Sequence, residues 1–209
     1  MLNNNHGTLS GIVTEKFHLE YSYDNVNYYF GMLGIKRNSG VFDLIPICIP
    51  SFAMPEEDIS SIELRDFLEI HGTFRSRNEI FDKKNKLLLR FYAIPNDKQK
   101  AVTVHRQEIA YKNDITLTGN ICKPVITRVT PKGMKISDIL VACNRKYNSD
   151  YIPTICWGYL SDKAKLLAVG DKIQIVGRIQ SREYTKQNED VKRIALEVSA
   201  MKLHKIEVE

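Results

Sequence analysis

The sequence contains no apolar run approaching the roughly 18 residues that a membrane helix needs. Its first residues, MLNNNHGTLSG, lack the basic segment and apolar core of a secretory signal. A cytoplasmic location without membrane contact is expected. Seven prolines and 11 glycines among 209 residues are too few for a collagen-like or linker-like chain. Cys48, Cys122, Cys143 and Cys156 are the four cysteines. None forms a C-x-x-C pair, and no Cys/His cluster has zinc spacing, so no metal or other cofactor is expected. The five histidines show no arrangement around a cysteine that would make it a nucleophile. Reduced thiols acting as small core residues are the expectation. There is also no acidic metal cluster, P-loop or nucleophile–base motif. The chain is therefore expected not to be an enzyme, with no catalytic residue to name.

What is present begins with an uneven charge. The formal net charge is +5, from 30 Lys+Arg against 25 Asp+Glu. Residues 1–105 hold 12 basic and 13 acidic side chains, and residues 106–209 hold 18 and 12. The basic excess of +6 thus lies wholly in the second half, against −1 in the first. A basic half suits a polyanionic partner, although uneven surface charge arises without one.

The halves are also related in sequence. GTLSGIV at 7–13 matches ITLTGNI at 115–121, and DLIPIC at 43–48 matches DYIPTI at 150–155. FLEIHGTFRSRN at 67–78 matches KIQIVGRIQSRE at 172–183, placing Gly72 against Gly177 and Arg77 against Arg182. Three matches in order at offsets of 108, 107 and 105 indicate a duplicated unit. The reading is a first domain over 1–97, a linker over 98–113 with room for one extra strand, and a second domain over 114–209.

Each copy is β-rich. In the second, 115–130 reads as a long strand bent at Pro124, followed by a turn at 131–133 and strands over 134–146 and 152–157. A short helix is expected from Ser161 as its cap, stopping at Gly170. Strands over 171–184 and 191–203 complete the set. Five strands with a helix between the third and fourth is the order of an OB-fold barrel. The predicted fold class is therefore all-β, two tandem five-stranded OB barrels with one short helix each.

Alternation along the fourth strand assigns its faces. Ile173, Ile175, Gly177 and Ile179 point one way; Lys172, Gln174, Arg178, Gln180, Arg182 and Tyr184 point the other, interrupted by Val176. Cations that track phosphates and rings that stack on bases equip a surface for a nucleic acid strand. An ordinary solvated face carries the same residue types.

The second half resembles the bacterial single-stranded DNA-binding protein family over about 115–203. The resemblance rests on KISDILVACNRKYN (135–148), ICWG (155–158), VGDKIQIVGRIQSREY (169–184) and EVSAM (197–201). It implies non-catalytic, largely sequence-independent binding of single-stranded DNA in replication, repair or mobile-element transfer, with RNA as a second candidate ligand. The family's stacking aromatics fall on Tyr147, Tyr151, Trp157 and Tyr184, with core packing as the alternative for Trp157. Phosphate contacts would come from among Lys123, Arg128, Lys132, Lys135, Arg145, Lys146, Arg178, Arg182, Lys186, Lys192 and Arg193.

The first copy departs from this pattern. Leu44, Pro50 and Glu79 stand where Tyr151, Trp157 and Tyr184 stand, so it reads as a degenerate partner domain. Its own aromatics, Tyr21, Tyr23, Tyr28, Tyr29 and Phe30, surround a hairpin turn at Asp24-Asn25 and suit core, a domain interface or a different binding patch. The chain ends at HKIEVE, without the family's long acidic tail, so recruitment through a tail is not expected. Homodimerisation would bring four barrels together, as in many family members. The alternative reading is an OB-fold protein-interaction or scaffold module with little or no DNA binding.

Overall fold

The computed structural model describes residues 4–81, 84–96, 98–185 and 192–207. Side chains at 80–81, 84–86, 184–185 and 192–193 lie outside the described set. The chain divides into two compact units, one of His6–Asn113 and one of Asp114–Glu209 together with Met1–Asn5.

The first unit is built from β1 (Asn5–Tyr23), β2 (Val26–Lys36), β3 (Phe42–Pro50), α1 (Glu56–Ser60), β4 (Phe67–Phe81), β5 (Lys84–Ala93) and β6 (Val102–His105). Its strands are hydrogen-bonded in the order β6-β4-β5-β3-β2-β1, and a further pairing of β4 with β1 closes the barrel. The extra strand β6 falls in the interval between the repeats and pairs antiparallel with β4. Asp24 and Asn25 both hold positive φ, 52° and 58°, the geometry that lets a two-residue turn follow strand twist.

The second unit comprises β7 (Lys112–Ile121), β8 (Ile126–Val129), β9 (Lys135–Asn144), β10 (Ser149–Trp157), α2 (Tyr159–Ala164), β11 (Lys172–Thr185) and β12 (Lys192–Lys205). The order is β7-β11-β12-β10-β9-β8, closed by pairing of β7 with β9. Each unit therefore has five barrel strands and a short helix between the third and fourth of them, the expected OB topology. The single long strand expected over 115–130 is divided into β7 and β8, with Pro124 in the break, because proline cannot donate to the ladder.

The repeat is kept in the pairing itself. The one parallel contact in the first barrel, Ile47↔Phe91 and Cys48↔Tyr92, has its counterpart in Thr154↔Val198 and Ile155↔Ser199. Gly72 and Gly177 are conserved between the copies for a steric reason. A Cβ on Gly72 would lie 1.9 Å from the Tyr92 carbonyl oxygen, and one on Gly177 would lie 2.3 Å from that of Ser199.

Alternation fills the interior as expected. Ile173, Ile175 and Ile179 are fully buried with Leu117, Val141, Ile152 and Val198. The helix differs from expectation at both ends. It covers Tyr159–Ala164 and stops well before Gly170; Ser161 does not cap it, since Gly158, at φ 53°, occupies that position and no side chain caps it. Ser161 is instead inside α2 and buried, its hydroxyl 2.8 Å from that of Ser137 on β9. A tertiary partner for the hydroxyl outweighed its local capping preference. No helix among the described residues is long and apolar enough to cross a membrane.

Candidate nucleic-acid interface

Residues paired in register on neighbouring strands share a face of the sheet. One line of such pairs crosses the second barrel on the side away from Ile152 and Val198: Arg178 opposite Ser199, Ser199 beside Ile155, Ile155 opposite Asp138, and Asp138 opposite Ile126, with Ser199 and Ile155 themselves buried. A second line joins Trp157, Ile136 and Arg128. Tyr151 and Trp157 are six residues apart on β10, so they occupy this same outer face. On β11, Arg178, Arg182 and the backbone position of Tyr184 continue it by alternation. Trp157, whose face the sequence left open between core and surface, is partly exposed.

Tyr151 is 41% exposed, opposite Ala142. Tyr147 projects from the β9–β10 hairpin and is 82% exposed, with the Lys146 ammonium 4.9 Å from its ring centroid. An aromatic ring left in water with a cation at its face is a surface on which a base can stack. The motif reading missed Tyr159, at the start of α2. It is 65% exposed, its ring 4.8 Å from the Lys163 ammonium. Only its position two residues after Trp157 could have drawn attention to it.

The predicted cations fall into separate settings. Arg128 donates from Nε to Asp138 at 2.9 Å, which raises its pKa further above the usual arginine value. Arg145 Nε lies 3.0 Å from Asp150. Lys135 is turned toward α2, 3.1 Å from Asp162. Arg182 stands 3.9 Å from Glu197. Arg178 donates to the Gln180 side chain at 3.3 Å. Lys123 is exposed between β7 and β8, and Lys132 is exposed in the β8–β9 turn, where Gly133 takes φ 79°. Lys186 lies outside the described residues, as do the side chains of Tyr184, Lys192 and Arg193.

Two carboxylates interrupt the basic face. Glu197 sits opposite Gln180, and burial pushes its pKa up, partly offset by Arg182. Asp138 adds to the rise. The face is therefore a mixture of rings, guanidinium groups and acids rather than a uniform cationic strip. Among the described residues no cluster of His, Cys, Asp or Glu could hold a metal ion.

The corresponding face of the first barrel is denser in rings. Tyr21 stacks on Tyr28 with centroids 4.7 Å apart, Phe30 meets Tyr92 edge-on at 6.4 Å, and Arg90 lies 3.9 Å from the Phe30 centroid. Arg75 and Arg77 lie over Tyr92 and Tyr21. Tyr92 and Arg90 carried no motif; pairing of β5 with β3 and β4 is what brings them to the cluster.

Comparison with known proteins agrees with this architecture. Residues 112–206 match the Single-strand binding protein family. No curated protein matches the chain significantly in sequence. Among solved structures, the chain is similar to a deletion mutant of the single-stranded DNA binding protein from Thermus aquaticus. The TM-score is 0.77 at 18% identity, covering 98% of this chain and 95% of that one. The wild-type Thermus aquaticus protein gives a TM-score of 0.75 at 17% identity, covering 98% and 94%. The chain is thus a tandem OB-fold protein whose residues 112–206 match the Single-strand binding protein family.

Proposed function

We propose that the second barrel binds single-stranded DNA, without catalysis and largely without regard to sequence, across the outer face of β8 to β12 and the β9–β10 hairpin. The observation that carries this reading is the alignment of Tyr151, Trp157, Arg128, Arg178 and Arg182 on one face, with Tyr147 open beside it. Rings on such a face stack on successive bases, and the cations follow the backbone. The match to the Single-strand binding protein family falls on this unit, and the similar solved structures are named as single-stranded DNA binding proteins. The binding serves replication, repair or transfer of mobile DNA.

A titration of fluorescent oligo-dT at two salt concentrations tests the proposal. With about three phosphates engaged, affinity falls roughly 20-fold between about 0.1 and 0.4 M salt. Replacing Tyr147 and Tyr151 together by Ala weakens binding by about 2–6 kcal/mol, at about 1–3 kcal/mol per base stacked. Unchanged affinity in that variant would remove these residues from the site. A scaffold role is favoured by one observation, the pairing of Arg128 and Arg182 with carboxylates on the face itself. Absence of any oligo-dT binding at moderate salt would support it.

A further inference from the structure

We infer that a cleft in the first barrel, at the tip of the β1–β2 hairpin, holds a single nucleobase and selects guanine. The inference rests on the nucleic-acid reading above but concerns a different unit and a different property, base preference.

The cleft has a volume of about 600 Å³ and is walled by Glu20, Tyr21, Tyr23, Tyr28, Arg77 and Glu79. Local structure makes it. The tight turn at Asp24-Asn25 sets Tyr21 opposite Tyr28 in register, and an irregularity between Leu19 and Tyr21 adjusts the strand just before the ring. The two rings stack at 4.7 Å with 21° between their planes. Arg77 and Glu79 are two residues apart on β4, so both project to the same side. The Arg77 guanidinium lies 5.8 Å from the Tyr21 centroid. A flat polar group already rests near that ring.

The charges choose among ligands. Glu20 is held by Arg90 at 3.1 Å, and Glu79 stands 3.9 Å from Arg77. The lining itself carries Glu20 and Glu79 against Arg77. A phosphate entering the cleft would meet both carboxylates, and a free cation would meet the Arg77 guanidinium and find both acids already paired with arginines. A neutral planar ring bearing hydrogen-bond donors and acceptors meets neither penalty and finds aromatic walls.

Hydrogen-bond chemistry narrows the choice of base. A carboxylate offers two acceptors side by side, and guanine alone presents two adjacent donors, N1–H and the N2 amino group. Guanine O6 and N7 are the acceptors that arginine takes in pairs. Thymine has one donor between two carbonyls, and adenine and cytosine each offer one amino group. The long Arg77–Glu79 pair is 60% and 41% exposed, so it is worth little by itself and is readily exchanged for contacts to a base.

Binding of the full chain to four fluorescent 20-residue oligomers tests the inference. One is all dT; the others carry dG, dA or dC at every fifth position. The dG oligomer is expected to bind about tenfold tighter than the other three. Glu79→Gln turns one acceptor into a donor and is expected to reduce this preference below about twofold, leaving dT affinity unchanged. Arg77→Ala is expected to do the same. Both positions are exposed at the barrel surface, and an unchanged Tm confirms intact folding. Equal affinity for all four oligomers overturns the guanine cleft while leaving the second-barrel reading in place. A guanine preference that survives both substitutions places selection elsewhere and also overturns it. Failure of every oligomer to bind overturns both readings.

Discussion

Arg145 Nε lies 3.0 Å from the carboxylate of Asp150, which is only 1% exposed. The first barrel repeats the arrangement, with Arg37 Nε 2.8 Å from Asp43, also 1% exposed. Both arginines begin the hairpin turn between the second and third barrel strands, where their own N–H groups bond to Asn148 and Val41. The duplicated D-x-I-P motif thus supplies a buried carboxylate that pairs with a partly exposed arginine at the start of the loop.

Arg145→Ala is expected to cost about 1–3 kcal/mol of stability, because it removes a charged partner from a buried carboxylate. Arg37→Ala is expected to do the same in the first barrel. Urea denaturation measures both. Oligo-dT affinity of the folded Arg145→Ala protein should change far less than that of the Tyr147/Tyr151 double variant; a larger affinity loss than stability loss would assign Arg145 to phosphate instead.

Glu197 has its pKa raised by burial on the proposed binding face. A raised folded pKa contributes stability that is complete below the ordinary carboxylate value of 4.5 and is lost as pH rises through the folded value. Glu197→Gln should therefore be more stable than the parent at pH 7 and lose that advantage at pH 4. Removing the negative charge should also tighten oligo-dT binding at low salt. Thermal melts at the two pH values check the first outcome, and a parent-like melt at pH 7 would contradict it.

Cys48, Cys143 and Cys156 are buried, and burial pushes each thiol up to about 12. Cys122 is half-buried, donates to the Leu140 carbonyl at 3.2 Å, and is shifted upward as well. Thiolate is the reactive form. Iodoacetamide at pH 8 should therefore label the native protein slowly, Cys122 first, and label all four sites only after denaturation. Mass spectrometry over time reads the order.

Gly72→Ala should destabilise by about 3 kcal/mol or more, since its Cβ would fall 1.9 Å from a backbone carbonyl that cannot move without opening the barrel. Gly133→Ala provides the contrast. There the Cβ meets open space, and only the positive φ of 79° opposes it, at about 1 kcal/mol. Similar losses at the two positions would show that close strand approach is not the reason for Gly72.

Much of the fold was legible because its signals are local. Alternation put Ile173, Ile175 and Ile179 inside, Asp24-Asn25 marked a two-residue turn, and Pro124 marked a break in pairing. The repeat implied two equivalent units before any strand was paired. Ser161 shows where this reasoning stops. Its hydroxyl has a plausible partner in the helix backbone and a better one on Ser137, and only the packing of α2 on β9 decides between them.

By itself, the sequence determined two β-barrels and the inward face of the fourth strand in the second, since these follow from side-chain period, turn chemistry and repeated spacing; the likeness of the second unit to a single-strand binder came from its motifs. Tertiary structure decided which cations stand beside a carboxylate. Arg145 and Lys135 look alike in sequence to Lys123 and Lys132, yet the first two meet Asp150 and Asp162. The reason is range. Charge counts along the chain, but a carboxylate neutralises a guanidinium only when closure of the barrel brings the two within a few ångströms.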